Sequence, residues 1–102
     1  MFRLIYTSVQ QPGFDGQAFG LLCEQAAKNN WKLGVAGLLL CNGVEFMQCL
    51  EGPKEAVAGV YKKITQDSRH SDIRLLVSEP TRELYFNNWS MLGLATKPQA
   101  VL

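Results

Sequence analysis

The chain of 102 residues is long enough for one domain with a single hydrophobic core and too short for two. Its 47% hydrophobic and 19% charged residues are typical of globular proteins, and a net charge of +1 gives no electrostatic basis for binding nucleic acid or an anionic membrane. No apolar run approaches membrane-spanning length. The three cysteines form no C-x-x-C pair and lie in apolar surroundings, which predicts reduced thiols in a cytoplasmic protein.

The N-terminal part of the chain predicts a strand followed by a helix. Alternating apolar residues from Phe2 to Ser8 indicate the strand. Asp15 is the expected N-cap of a helix that ends at about Lys28 or Asn29. Extending the apolar stripe of this helix by three and four residues reaches Asn29 and Asn30, so we expect both amides near the buried side.

A hairpin follows, with Val35 to Leu40 as its first arm, Asn42-Gly43 as its turn and Val44 to about Glu51 as its second arm. Alternation along the second arm places four side chains on one face, which we expect to be the core face: Val44, Phe46, Gln48 and Leu50. Three of them are apolar, so the Gln48 amide must find polar partners inside the protein.

The C-terminal part predicts a second helix and two more strands. Gly52-Pro53 opens the helix, because proline is tolerated in a first helical turn. A polar loop from Asp67 to Asp72 precedes a strand from Ile73 to Ser78. A last short strand is expected from Leu84 to about Leu92, and a frayed tail from Lys97.

The element order β-α-β-β-α-β with an added fifth strand predicts a ferredoxin-like α+β sandwich, in which two helices cover one face of a mixed sheet. We expect one domain over residues 1–96 and a short tail over 97–102. The first and third strands are expected to be central, parallel neighbours. Tyr6 and Gln48 would then stand side by side on the helix-facing side.

Each candidate residue also has a purely structural interpretation. Tyr6 could be a core aromatic bonded to backbone, Gln48 could lie at the sheet rim, and Asn29 and Asn30 could merely end a helix. His70 could be a solvated loop residue. No nucleophile–base pair, metal-ligand cluster or phosphate loop is visible, which makes an enzyme the least favoured class. The residues alone predict amides and a tyrosine around a planar, largely apolar ligand between the helices, and leave that ligand open.

Several motifs resemble those of one known family in order and spacing. They are Leu4-Ile5-Tyr6-Thr7-Ser8, Asn30, Gly34-Val35-Ala36-Gly37-Leu38-Leu39, Phe46-Met47-Gln48-Cys49-Leu50-Glu51-Gly52, Asp67-Ser68-Arg69-His70 and Trp89-Ser90-Met91. Through them the sequence is similar to the BLUF domains, blue-light sensors that use FAD. One departure is Val35-Ala36-Gly37, where the family usually has Ile-Thr-Gly.

The resemblance implies FAD bound non-covalently between the two helices. Asn30 would bond the pyrimidine edge of the flavin, and Gln48 would bridge Tyr6 to its N5/O4 edge. The residues implied near the flavin ring or its side chain are Asn29, Arg69 and His70. The resemblance further implies that Trp89 and Met91 are mobile residues next to Gln48 that relay the signal.

The mechanism implied by the resemblance is driven by light. Excited flavin takes an electron from Tyr6, a proton moves by way of Gln48, and recombination leaves the Gln48 amide rearranged and the flavin absorption shifted to the red. Without an output domain in the sequence, the chain is expected to signal to a protein partner or through a homo-oligomer, or to have been separated from its effector. The alternative is a ferredoxin-like small-ligand or protein-interaction module without photochemistry.

Overall fold

A computed structural model of the chain describes residues 1–86 and 89–95. The described residues form strands β1 (Phe2–Gln10), β2 (Ala36–Cys41), β3 (Glu45–Gly52), β4 (His70–Pro80) and β5 (Leu92–Ala95), and helices α1 (Gly16–Leu33) and α2 (Lys54–Thr65). This content confirms the α+β class and the element order predicted from the sequence. The tail predicted over residues 97–102 lies outside the described residues.

The five strands form one mixed sheet in the order β4-β1-β3-β2-β5. β1 and β3 are central neighbours as predicted, but they are antiparallel, so the prediction of a parallel pair was wrong. The physical reason is the connection: the crossover through α1 leaves β2 running in the same direction as β1, and the hairpin then reverses β3. Side-by-side placement of Tyr6 and Gln48 survives, because the two are cross-strand partners.

Helix α1 begins where the sequence indicates and ends later. Asp15 caps it, accepting a hydrogen bond at 2.9 Å from the Ala18 amide. The predicted end at Lys28 or Asn29 was wrong, since the helix continues to Leu33 and stops at Gly34. Gly34 has φ 70°, the left-handed conformation that terminates many helices.

The hairpin turn closes on Asn42, whose side-chain oxygen accepts from the amides of Val44 and Glu45 at 2.9 and 2.7 Å. Gly43 has the positive φ of 87° that the turn requires. Val44 belongs to this turn and is 53% exposed, so its predicted place on the core face was wrong. The three other predicted core positions of this arm, Phe46, Gln48 and Leu50, are buried.

The later boundaries differ from the prediction in two places. His70 and Asp72 already belong to β4, so the polar loop after α2 is shorter than predicted. The strand predicted from Leu84 to Leu92 was wrong over its described part: residues 81–86 form no strand, and β5 starts only at Leu92, parallel to β2. The amides of Tyr85 and Phe86 bond the Glu51 carboxylate instead of a neighbouring strand.

Two helices over one sheet face create the core and the place for a ligand. The core side chains come from β1, β2 and β3, from Phe19 of α1 and Val57 of α2, and from Val35 and Met91, which directly precede β2 and β5. Gly93 lets β5 approach α1, because a Cβ there would collide with the Cys23 sulfur. No helix in the described ranges is long and apolar enough to cross a membrane.

Candidate functional site: a cleft between the two helices

A cleft of about 190 Å³ opens between α1 and α2 above the central strands. Its walls are mainly apolar, and its polar groups are amides, a tyrosine and a charged cluster. The lining side chains are Tyr6, Leu22, Gln25, Ala26, Asn29, Asn30, Leu33, Leu39, Phe46, Gln48, Val60, Lys63, Ile64, Asp67, Arg69 and His70. Apolar walls with a few convergent polar groups are typical of small-molecule sites.

The base of the cleft holds the Tyr6–Gln48 pair. The two residues face each other across β1 and β3, and the Tyr6 hydroxyl donates a hydrogen bond to Gln48 Oε1. Tyr6 is 3% and Gln48 5% exposed, so water does not compete for this bond. The opposite end of the amide, Nε2, contacts the Met91 sulfur at 3.8 Å. A thioether is a weak acceptor, so the donor side of this buried amide is poorly satisfied by the protein.

Burial controls the ionisation of Tyr6. It raises the pKa of the phenol well above its usual value, and the nearby Tyr61 and Asp67 raise it further. The Tyr61 ring lies 5.6 Å from the Tyr6 ring, centroid to centroid. Tyr6 is therefore a neutral hydrogen-bond donor across the physiological pH range.

Asn29 and Asn30 have different environments, although both line the cleft. Asn30 is 2% exposed and donates from Nδ2 to the Ser90 carbonyl oxygen at 2.9 Å. Asn29 lies on the exposed side of α1, so the prediction that both amides approach the buried side holds for Asn30 only. The extra turn of α1 beyond Asn30 also removes the interpretation that these residues end the helix.

Charged side chains line the α2 end of the cleft. Arg69 bonds Asp67 through Nε at 2.9 Å, and this guanidinium holds the pKa of the Asp67 carboxyl below its usual value. Lys63 lines the same end of the cleft. Lys63 was not predicted from the sequence, although its place beside Ile64 in the last turn of α2, where both line the cleft, could have indicated the cleft edge.

His70 has both ring nitrogens occupied by the protein. Nδ1 lies 2.6 Å from Ser8 Oγ and Nε2 lies 2.6 Å from the Ile64 carbonyl oxygen. The interpretation of a solvated loop histidine was therefore wrong: the residue opens β4 and ties β1 to the end of α2. Ser8, 2% exposed, was missed because nothing in a strand pattern shows which distant group will meet a buried hydroxyl.

The two predicted relay residues differ in their contacts. Met91 is 8% exposed and contacts the Gln48 amide, as predicted. Trp89 is 51% exposed, and its backbone carbonyl accepts from the Gly37 amide at 3.1 Å. Met91 rather than the Trp89 indole therefore occupies the position beside Gln48.

Within residues 1–86 and 89–95, no three His, Cys, Asp or Glu side chains are grouped to hold a metal ion. All three cysteines are free thiols, and burial raises the pKa of Cys49 to about 11.

Fold and cleft together define a small α+β ligand-binding domain with a hydrogen-bonded tyrosine–glutamine pair at the base of its site. The family model described as "BLUF: Sensors of blue-light using FAD" matches residues 1–92. The chain belongs to the BLUF family, and it is a blue-light photosensor domain.

Known relatives agree with this assignment. Photoactivated adenylate cyclase subunit beta of Euglena gracilis is 40% identical over 84 residues, which cover 76% of this chain and 10% of that protein. The dark-state structure of BlrB, a BLUF protein, superposes with a TM-score of 0.84 at 34% identity, covering 92% of this chain and 71% of BlrB. The structure of Klebsiella pneumoniae BlrP1, solved with FMN and cyclic diGMP, superposes with a TM-score of 0.86 at 33% identity, covering 92% of this chain and 25% of the BlrP1 chain. The chain thus spans only about a tenth of the cyclase relative.

The residues present fit a flavin. The facing walls supplied by Leu22 and Ala26 of α1 and Val60 and Ile64 of α2 suit a flat aromatic ring system. The poorly satisfied donor side of Gln48 suits the polar edge of such a ring.

Proposed function

We propose that the cleft binds FAD non-covalently and that Tyr6 and Gln48 form the photoactive pair. The observation that carries this proposal is the buried hydrogen bond from the Tyr6 hydroxyl to Gln48 Oε1 at the base of the cleft. A bound flavin supplies the absorption of blue light and an acceptor for an electron from Tyr6.

The chain supplies a hydrogen-bond switch. In the arrangement described here, Gln48 accepts from Tyr6 through Oε1 and presents Nε2 to Met91. The Tyr6 proton has a short path to Oε1, because the two groups are already bonded. If the amide rearranges, its oxygen and its NH₂ group exchange places. Tyr6 and Met91 then each face the opposite end of the amide, and the group presented to the cleft also changes. Because the site is buried, water does not compete for the new hydrogen bonds, and the rearranged amide can shift the conformation of the segment packed against it.

The remaining cleft residues hold the chromophore in this proposal. Asn30 bonds the pyrimidine edge, Asn29 contributes at the rim, and His70 supplies its ring to the wall while its nitrogens bond the protein. Lys63 and Arg69 line the α2 end of the cleft and would meet the phosphates of FAD, with the Arg69 charge shared with its partner Asp67. We assign FAD rather than FMN from the description of the family, and chromatography of the cofactor released by denaturation distinguishes the two.

The output in this proposal is a protein contact. Trp89 and Met91 relay the state of Gln48, and the signal passes to a downstream partner, to an output domain or to a second copy of the chain in a homo-oligomer. The free thiols favour the cytoplasm as the compartment. Size-exclusion chromatography in the dark and under blue light tests self-association.

The decisive experiment is the visible spectrum of the purified protein in the dark and after blue light. The expected result is a flavin spectrum that shifts reversibly to the red. A colourless protein that cannot be reconstituted with FAD or FMN contradicts the proposal. Bound flavin without a light-induced shift favours the alternative, a ferredoxin-like ligand-binding module without photochemistry.

A further inference from the structure

A buried ion pair lies on the sheet face opposite the helices, outside the cleft in which the photochemistry is proposed. Arg3 and Glu51 are cross-strand partners on β1 and β3, three residues along from Tyr6 and Gln48. Side chains alternate along a strand, so an offset of three places the ion pair on the opposite face of the same two strands. Glu51 is fully buried and Arg3 is 8% exposed.

The ion pair fixes the loop of residues 81–86. Glu51 Oε2 accepts from Arg3 Nε and Nη2 at 2.8 and 2.7 Å and from the Tyr85 amide at 3.1 Å. Its Oε1 accepts from the Phe86 amide at 2.8 Å. Arg3 in turn donates to the Glu83 carbonyl oxygen at 2.8 Å, and its guanidinium lies 4.0 Å from the centre of the Tyr85 ring. The Glu51 carboxylate thus accepts from four N–H donors. Charge-assisted hydrogen bonds of this kind are strong, and together they fix the orientation of the loop on the sheet.

The loop is hydrogen-bonded to the segment that carries Met91, the residue beside Gln48. The Phe86 carbonyl oxygen accepts from the Trp89 amide at 2.9 Å, and the Trp89 carbonyl oxygen accepts from the Gly37 amide on β2 at 3.1 Å. Two residues later, the Met91 sulfur contacts Gln48 Nε2. Gly37 is also where a Cβ would lie 3.3 Å from the Met91 methyl carbon, so Met91 packs tightly over the strand. Strands β1 and β3 therefore carry Tyr6 and Gln48 on one face and Arg3 and Glu51 on the other. Through Arg3 and Glu51 they also hold the segment that leads to Met91, which contacts Gln48.

We propose that Arg3 and Glu51 are positioning residues of the photocycle: by fixing loop 81–86 they hold Met91 against Gln48 and so set how long the light-induced state lasts, not its colour. This inference rests on the proposed photochemistry of Tyr6 and Gln48. Return to the dark state requires the Gln48 amide to rearrange beside Met91, and a firmly held Met91 raises the barrier to that motion. Neither Arg3 nor Glu51 lines the cleft, so flavin absorption itself is unaffected.

Glu51→Gln tests the inference, because it keeps the size and one acceptor of the side chain while removing the charge that pairs with Arg3. Dark recovery after a blue-light pulse should be about tenfold faster, which corresponds to about 1.4 kcal/mol in the barrier. The size of the red shift should equal that of the parent. Amide hydrogen exchange at Tyr85 and Phe86 should be faster, which shows directly that the loop has been released.

Two further variants separate this role from simple loss of stability. Arg3→Met combined with Glu51→Gln leaves no unpaired buried charge, so it provides a folded protein if Glu51→Gln alone does not. Val57→Ala is the matched control, since it opens a cavity at a fully buried position of α2 that lies outside loop 81–86 and is not itself one of the residues lining the cleft.

The outcomes are distinct. Faster recovery in the ion-pair variants with parental recovery in Val57→Ala supports the inference. Parental recovery in the ion-pair variants, or equally fast recovery in Val57→Ala, overturns it while leaving the proposed function intact. A parent protein with bound flavin and no red shift overturns the proposed function, and this inference with it.

Discussion

Replacing Tyr6 with phenylalanine separates a photoactive tyrosine from a structural one. Phenylalanine fills nearly the same volume, so the packing against the Tyr61 ring and the strand itself should persist. The hydroxyl is lost, and Gln48 Oε1 is left without its donor in a site where Gln48 is only 5% exposed. A buried acceptor without a partner costs about 1–3 kcal/mol, or roughly 4–8 °C in Tm per kcal/mol for a domain of this size.

A double-mutant cycle assigns this cost to the pair. Gln48→Leu alone strands the Tyr6 hydroxyl and should also cost about 1–3 kcal/mol. The double variant removes both partners, so its loss of unfolding free energy should be smaller than the sum, with a coupling of about 0.5–3 kcal/mol. Urea denaturation of the flavin-bound proteins measures all four corners of the cycle.

Difference spectra on the same samples test function. Both single variants should bind flavin and show no lasting red shift, and Tyr6→Phe should be more fluorescent than the parent because its fast local electron donor is gone. Tyr61→Phe is the matched control: it removes a hydroxyl from the neighbouring ring and leaves the Tyr6–Gln48 bond in place, so the shift should remain. A persistent, full-amplitude red shift in Tyr6→Phe, together with additive stability losses, would refute the assigned role.

Three further expectations follow from the structure. Asn30→Ala should weaken flavin affinity by about 1–3 kcal/mol in a titration, whereas Asn29→Ala, at the exposed rim, should weaken it less; equal effects would contradict the assignment of the buried amide. Met91→Ala should keep a red shift but change the dark-recovery rate, because it removes the neighbour of the Gln48 amide; an unchanged rate would exclude Met91 as the relay. Burial raises the pKa of Cys49 from 9.0 to about 11, so its contribution to stability is complete below pH 9 and is lost as pH rises toward 11. Urea titrations over that window should show a shallower decline in Cys49→Ala, and parallel pH curves would count against the raised pKa.

Much of the frame could be predicted from local patterns. Asp15 is a capping side chain followed by a helical stripe, and Asn42-Gly43 has the conformational freedom that a tight turn needs, so both sites were identified correctly. The end of α1 was missed because Asn29 and Asn30 resemble a helix end by composition, while Gly34 is the residue that stops the helix. Local signals compete at such boundaries, and packing decides between them.

The hydrogen-bonded Tyr6–Gln48 pair could be predicted because a polar residue interrupts an apolar strand face. Gln48 among Phe46 and Leu50 violates the alternation and therefore demands a partner, and the predicted sheet order supplied Tyr6. Tyr6 and Gln48 are neighbours even though β1 and β3 are antiparallel rather than parallel as predicted. Cross-strand neighbours remain neighbours in either orientation, but the register that aligns them depends on the full topology.

What the sequence determined by itself is the class of fold, the two amphipathic helices and the need for a partner at Gln48, because each depends on residues close together along the chain. Only the tertiary structure decided what meets Glu51, which lies 48 residues from Arg3 and 35 from Phe86 in sequence. It likewise decided that Met91 rather than Trp89 lies beside Gln48. A strand pattern shows which face a side chain takes, but the partner it finds there is set by sheet order, register and the path of the loops, which no local signal contains.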